Sequence, residues 1–247
     1  MVLLTASCDR APAAKAPASA RPASGAAGYL PPPVVTGGTW TAQGVTLSGT
    51  AAPGSHVNLT APSGVRVAGA VDATGRWAAA LPEGAAPAIY GLSMELNGRA
   101  TQAEGYLLLT PDGRVRQLRA GAGARLLAGP SLGGLTALDY DAGGSVIVSG
   151  QVRPDTPVAV AVDGRPAMQS RSAADGHVSV LIAQPLSPGA HTITLASEAK
   201  PAQSVALTID DSAVAIAAPM RATATSGGWR IDWLTPGGGV QTTLLVG

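Results

Sequence analysis

Charged residues, aromatic rings and cysteines are all scarce in this chain of 247 residues. Only 13% of the residues are charged, which disfavours a coiled coil or a long solvated helix because both need many surface charges. The formal net charge of +1 supplies no basic face, so we expect no nucleic-acid partner. The sequence also lacks a run of about 18 apolar residues and therefore predicts no membrane-spanning helix.

Glycine and proline, in contrast, are abundant throughout the chain. There are 32 glycines and 20 prolines, enough to break most helices. Turn-forming pairs such as Asp112-Gly113 and Asp163-Gly164 separate short segments in which apolar and polar residues alternate, as in residues 158–162. Alternation with a period of two is typical of half-buried strands. The sequence therefore predicts an all-β fold of the sandwich type.

A stretch of about 100 residues occurs twice. Residues 45–57 (VTLSGTAAPGSHV) match residues 146–158 (VIVSGQVRPDTPV) at an offset of 101 positions. The same offset aligns Gly75 with Gly176, Trp77 with Val178, Leu92 with Ile193, and Met94 with Leu195. Because turn positions and apolar positions coincide at one offset, we expect two copies of one module.

The order of these residues resembles that of bacterial immunoglobulin-like repeats. The shared pattern is Val-x-Leu-Ser-Gly-Thr-Ala-x-Pro-Gly over residues 45–54, Asp-x-x-Gly-x-Trp over residues 72–77, and apolar alternation over residues 88–96. The resemblance implies two tandem immunoglobulin-like β-sandwiches, with the ring of Trp77 packed between two sheets. Val178 takes that place in the second copy, which implies a thinner core there. The resemblance implies no catalytic residue and no cofactor.

The N-terminal segment combines a lone cysteine with a stretch rich in alanine and proline. Cys8 cannot form an internal disulfide, and small residues precede it, as a signal peptidase requires. The sequence Leu-Thr-Ala-Ser-Cys resembles the lipobox of bacterial lipoproteins, which implies lipidation of Cys8. Residues 1–7 are shorter than a signal peptide, so we expect a longer native leader. Residues 9–38 have nothing periodic to bury and are predicted to form a disordered tether.

Four segments follow from these patterns. We expect a lipoprotein signal remnant over residues 1–8, the tether over 9–38, a first sandwich over 39–133 and a second over 134–247. The second sandwich should include a C-terminal hairpin, packed onto its core through Trp229, Ile231 and Trp233. We also expect the two sandwiches to have separate cores.

Four side chains are candidates for contact with a ligand. Arg114 and Arg116 share one face of a predicted strand, where they are placed to contact the phosphates of lipid or of a polyanionic cell-wall polymer. Trp229 and Trp233 also share one face of a predicted strand. These two rings either belong to the core or form a platform that binds carbohydrate.

A hydrolase is an alternative of another class. Residues 129–133 (GPSLG) match the nucleophile-elbow pattern, in which Ser131 would act with His177 or His191. That chemistry needs a helix after the turn, and the glycine pair at 133–134 disfavours one. The motif is therefore better explained as a turn between the sandwiches.

Metal ligands are too few and too scattered to predict a metal site. His56, His177 and His191 lie in different segments and lack ligand spacing. Asp139 and Asp141 supply only two carboxylates, whereas Ca²⁺ takes six to eight oxygen ligands. We therefore expect neither a bound metal nor a cofactor.

These observations favour a non-enzymatic protein of the bacterial cell envelope, facing the periplasm or the cell surface. A lipid on Cys8 would attach it to a membrane, and its immunoglobulin-like modules would serve spacing, display or binding. An envelope protein or a polysaccharide is the expected partner. The alternatives are a carbohydrate-binding envelope module that uses Trp229 and Trp233, and a serine hydrolase that uses Ser131.

Overall fold

The computed structural model describes residues 29–41, 44–130, 133–198, 200–210 and 214–247. These residues form twenty strands and no helix, which confirms the all-β prediction. None of them forms a helix that could cross a membrane. Cys8 and Ser131 lie outside the described residues, as does most of the expected tether.

Ten strands precede residue 131. They are β1 (Val34–Thr41), β2 (Gly44–Thr50), β3 (His56–Thr60), β4 (Arg66–Ala70), β5 (Arg76–Leu81), β6 (Ala88–Leu96), β7 (Arg99–Gln102), β8 (Tyr106–Leu109), β9 (Val115–Arg119) and β10 (Gly123–Ala128). The range expected for the tether is too long at its end. Residues 34–38 belong to β1, because their backbone groups pair with β2 from Val34 opposite Thr50 onward.

Ten further strands follow residue 132. They are β11 (Gly134–Tyr140), β12 (Val146–Gln151), β13 (Pro157–Val162), β14 (Arg165–Arg171), β15 (His177–Leu181), β16 (Gly189–Ser197), β17 (Lys200–Ile209), β18 (Met220–Thr225), β19 (Gly228–Leu234) and β20 (Val240–Val246). The last two form the C-terminal hairpin, which pairs with β11 through β20.

The strands form four antiparallel sheets. Sheet A has the order β1-β2-β5, and sheet B has the order β10-β9-β8-β6-β3-β4 with β7 paired to one half of β6. Sheet C has the order β15-β12-β11-β20-β19-β18, and sheet D has the order β14-β13-β16-β17. The inner residues of sheets A and B are buried, among them Leu47, Trp77, Leu59 and Met94. Sheets C and D enclose a second core that includes Leu138, Val148, Val160, Ile193 and Leu207.

The repeat in the sequence is a repeat of topology. Strands β1-β2-β5 of the first copy correspond to β11-β12-β15 of the second, and β4-β3-β6 correspond to β14-β13-β16. The continuous strand β17 takes the place that β7 and β8 share in the first copy, where residues 103–105 interrupt the strand. The chain thus contains two immunoglobulin-like β-sandwiches, each extended by additional strands.

The offset of 101 positions holds in one sheet of each copy but changes in the other. Gly49 lies opposite Trp77, and Gly150 lies opposite Val178, as that offset requires. In the other sheet, Leu59 lies opposite Leu92, whereas Val160 lies opposite Leu195 rather than Ile193. This shift of two positions leaves the same face of the strand inward, since side chains alternate along a strand.

Close packing above the strand, to which the ring of Trp77 contributes, explains the glycine in the repeated Ser-Gly motif. Trp77 is only 3% exposed and lies across Gly49, where a Cβ atom would be 2.6 Å from its Cζ2 atom. In the second copy Leu195 covers Gly150, with its Cδ2 atom 2.7 Å from the corresponding Cβ position. A glycine is needed at both positions because a backbone carbonyl oxygen of the neighbouring strand, Val34 O or Gly134 O, and a large core side chain together occupy the space above the strand.

Truncation of Trp77 tests this alignment. Trp77→Ala should lower the free energy of unfolding by about 3–5 kcal/mol, because it leaves a large cavity between the sheets. Val178→Ala should lower it by a smaller amount, about 2 kcal/mol, since valine buries less apolar area. Urea denaturation measures both, with the exposed Thr46→Ala as a control on the same sheet. Equal losses below about 1 kcal/mol at both core positions would contradict the alignment.

Candidate functional site

The two sandwiches share an apolar cluster. One face of sheet C packs against sheet D, and the opposite face packs against strands β6, β8, β9 and β10 of sheet B. The buried members of this shared cluster are Ile89, Leu108, Leu118, Ala124, Ala137, Ile231, Trp233 and Leu245. The expectation of separate cores is therefore wrong, and residues 31–247 form one compact unit.

The C-terminal hairpin joins both cores because its side chains alternate. Leu244 and Val246 pack against the core between sheets C and D, as expected for this hairpin. Ile231, Trp233 and Leu245 point the other way, into the shared cluster. The alternation of β19 does produce one apolar face, as predicted, but that face contacts the first sandwich.

Trp233 is at the centre of the shared cluster. Its side chain is completely buried, and its ring meets the ring of Tyr106 edge-on, with centroids 5.8 Å apart and an interplanar angle of 83°. Its Nε1–H donates a hydrogen bond to Thr243 Oγ1 at 3.1 Å. Trp229 packs against the same cluster and is partly buried. The core interpretation of these two rings therefore holds for Trp233, and the alternative of a carbohydrate platform is wrong, since Trp233 offers no exposed ring to a sugar.

A buried carboxylate connects the two sandwiches next to Trp233. Asp139 of β11 accepts a hydrogen bond from the Thr243 hydroxyl at 2.5 Å and from the backbone N–H of Ala124 at 3.0 Å. The N–H of Ala124 also points to Ser149 Oγ at 3.1 Å. Burial raises the pKa of Asp139 to about 6, although these hydrogen bonds act to lower it. Trp233, Thr243, Asp139 and Ala124 thus form one polar chain across the junction.

The other face of the hairpin carries a second buried carboxylate. Asp232 accepts hydrogen bonds from Arg221 Nη2 at 2.6 Å, Arg230 Nε at 3.0 Å and Thr242 Oγ1 at 2.7 Å. Burial alone would raise the pKa of Asp232, but these donors outweigh it and hold the pKa below its usual value. Both faces of the hairpin are therefore fixed by apolar packing, and the face that carries Asp232 is fixed by ion pairs as well.

A cleft of about 670 Å³ opens beside the shared cluster, between residues of both sandwiches. At its rim Arg125 Nη2 lies 2.6 Å from Asp175 Oδ2, and the Ser179 hydroxyl donates to the carbonyl oxygen of Ala122 at 2.9 Å. Burial lowers the pKa of His177 in the cleft wall, while Asp175 acts to raise it. Arg125 belongs to the first sandwich and Asp175 to the second, so this ion pair connects the two sandwiches and the two charges compensate each other.

Arg114 and Arg116 do not form the exposed pair that their spacing predicts. Arg116 is 3% exposed, and its Nε atom has no hydrogen-bond partner among the described residues. Burial lowers the pKa of Arg116 to about 10, and the carboxylate of Asp112 opposes that shift. Arg114 forms an ion pair with Asp112, and its Nε donates to the carbonyl oxygen of Pro130 at 3.1 Å. Arg116 is buried and Arg114 is engaged by Asp112 and Pro130, so their positions do not favour contact with a polyanion.

The remaining candidates among the described residues, which are histidines and aspartates, do not assemble into a metal site. His191 Nδ1 donates to Asp163 Oδ2 at 2.8 Å and its Nε2 donates to the carbonyl oxygen of Ser187 at 2.9 Å. Asp163 and Ser187 raise the pKa of His191, which favours the imidazolium form and disfavours a role as a general base. Asp141 accepts the N–H groups of its own turn. Within the described residues, no three metal-ligating side chains come together.

The functional feature that sequence reasoning missed is the polar chain through Asp139 and Thr243. Asp139 is the one charged residue of β11, a strand whose seven residues are all buried. A charged residue inside a fully buried strand is the signal that points to a buried partner. Its partner lies 104 positions away in the sequence, so only the fold brings the two together.

No protein-family model and no curated protein matches the chain. One of the solved structures similar to this chain is the BSP domain of a biofilm-associated protein. The two are 14% identical, and the match covers 71% of this chain and 29% of that one with a TM-score of 0.24. A tetra-tandem repeat in the extending region of a large adhesion protein is another (18% identity, 87% and 66%, TM-score 0.27). A third is the central fibronectin-III array of RIM-binding protein (9% identity, 87% and 89%, TM-score 0.28). This chain covers less than two thirds of the length of the first two of these similar structures.

The burial of Asp139 predicts a stability that falls as the pH rises. Because its pKa is about 6 when folded and near 3.8 otherwise, the folded protein binds the extra proton between these values. The contribution of Asp139 is thus most favourable near pH 4 and is lost as the pH rises through 6. Asp139→Asn cannot ionise at this position. Its melting temperature should therefore rise relative to that of the wild type as the pH goes from 4.5 to 7.5, as measured by thermal unfolding.

The exposed Asp141→Asn is the matched control, since its carboxylate lies in a turn of the same strand end. This variant should show the same change in melting temperature between pH 4.5 and 7.5 as the wild type. If the melting temperatures of the wild type and of Asp139→Asn change in parallel with pH, Asp139 does not titrate in this range.

Proposed function

We propose that this chain is a non-enzymatic cell-envelope protein whose two immunoglobulin-like sandwiches act as one rigid unit for spacing or display. The observation that supports this most is the shared cluster around Trp233. Contacts between domains of one chain are usually polar enough to permit relative motion. Here the contact is apolar, completely buried at Trp233, and reinforced by the polar chain through Asp139. A rigid pair keeps a displayed surface at a constant distance from its attachment point.

The chemistry of the described residues also supports a role without catalysis. His191 is held by Asp163 and Ser187, and His177 lies at the edge of a cleft whose charges are paired. Asp139 and Asp232, the two buried carboxylates, are engaged by hydroxyl, amide and guanidinium donors of the protein itself. Their environment is that of structural groups, which favours a scaffold.

The attachment point in this proposal is a lipid on Cys8. The small residues before Cys8 and the alanine- and proline-rich stretch after it support such an anchor. Expressed in a bacterial host from the full native gene, the protein should incorporate labelled palmitate and sediment with membranes. Cys8→Ser should abolish the label and release the protein. Labelling that persists in Cys8→Ser would overturn the anchor.

Rigidity of the pair is tested by the distance between spin labels. Val65→Cys and Leu181→Cys, both exposed positions in different sandwiches, carry the labels in a Cys8→Ser background. The wild-type junction should give one narrow distance distribution. Trp233→Ala should broaden it, because truncation removes the centre of the shared cluster.

Trp77→Ala is the matched control, since it removes another buried tryptophan that lies inside the first sandwich. Its folded molecules should retain the narrow distribution. A broad distribution in the wild-type protein would overturn the rigid pair, whatever the outcome for the anchor.

A further inference from the structure

A pocket of about 450 Å³ opens at one end of the first sandwich, away from the shared cluster. Four segments form it: the end of β1, the start of β2, the end of β5 with the loop that follows it, and the turn between β8 and β9. Its volume lies within the usual range for small-ligand sites. Loops at the end of a sandwich are also where immunoglobulin-like folds carry their binding surfaces.

Trp40 supplies an exposed aromatic ring to this pocket. Its side chain is 49% exposed, whereas Trp77 and Trp233 are buried. The indole lies against Gly113, which has a φ of 78° and no side chain to displace the ring. A Cβ atom at Gly113 would collide with Nε1 of the indole. The ring is therefore positioned by the protein on one side and open to solvent on the other.

The charge of the pocket wall is negative. Glu83 and Asp112 line it, and the described lining residues include no lysine or arginine. Asp112 is paired with Arg114, which compensates its charge. Glu83 is exposed and has no ion-pair partner among the described residues. An unpaired carboxylate and an open indole thus occupy one pocket.

We propose that this pocket binds an alkylammonium group. The face of an indole is electron-rich and attracts a cation more strongly than other aromatic rings do. The carboxylate of Glu83 adds a charge of the complementary sign, and the methylene or methyl groups next to the nitrogen are apolar enough to contact the ring. A lysine side chain of a partner protein and a quaternary ammonium group share this chemistry.

Saturation-transfer NMR on the full chain tests the proposal with two probes. Tetramethylammonium represents the quaternary group, and N-acetyl-lysine methylamide represents a lysine side chain. At constant ionic strength, set with NaCl, at least one probe should give a saturable signal. The probe with the stronger signal identifies whether the ligand is a quaternary ammonium group or a lysine side chain. Trp40→Ala should abolish it because the cation–π contact is lost. Glu83→Gln should weaken binding about fivefold, in keeping with the loss of an exposed ion pair.

Glu95→Gln removes an exposed carboxylate of β6 outside the pocket, and it should leave binding unchanged. Absence of saturable binding for both probes would overturn the proposal. An equal signal in Trp40→Ala, or equal weakening by Glu95→Gln, would show non-specific attraction and would also overturn it. A signal from the neutral disaccharide maltose in place of the cations would make this a carbohydrate site instead.

Discussion

The burial of the central strands of sheet C on both faces is the constraint on which the rest of this structure depends. Strand β11 is buried at all seven of its residues, because sheet D covers one face and the β6–β10 region of sheet B covers the other. A sheet covered on two sides needs apolar residues on both, and the C-terminal hairpin supplies them by alternation. Trp233 and Leu244 therefore belong to different cores although they lie on one hairpin.

The polar groups near sheet C follow from the same constraint. Removing a carboxylate from water is unfavourable unless donors replace the water, and Asp139 and Asp232 each have such donors. Asp139 takes one of its donors from β10 of the first sandwich and another from β20. The hydrogen bonds that satisfy this carboxylate thus also hold the sandwiches together, which connects the chemistry of the core to the rigidity that we propose for function.

Local patterns in the sequence predict the strands, the repeat and the burial of Trp77, because alternation and turn residues act over a few positions. They do not reveal which sheet an apolar face will contact. Residues 229–235 show one apolar face, but its packing on Ile89 and Leu118 depends on the arrangement of both sandwiches. Arg116 follows an alternation typical of an exposed face, yet sheet packing buries it. The shift between Leu92 and Leu195 is hidden because a register change of two positions conserves the pattern.

The central claim, that a shared core makes the two sandwiches one unit, is tested most directly by differential scanning calorimetry of the full chain. One unit should unfold in a single transition, with a calorimetric enthalpy equal to the van't Hoff enthalpy. Two sandwiches with independent cores would instead unfold in two steps, and the calorimetric enthalpy would exceed the van't Hoff value. Two resolved transitions would therefore contradict the account.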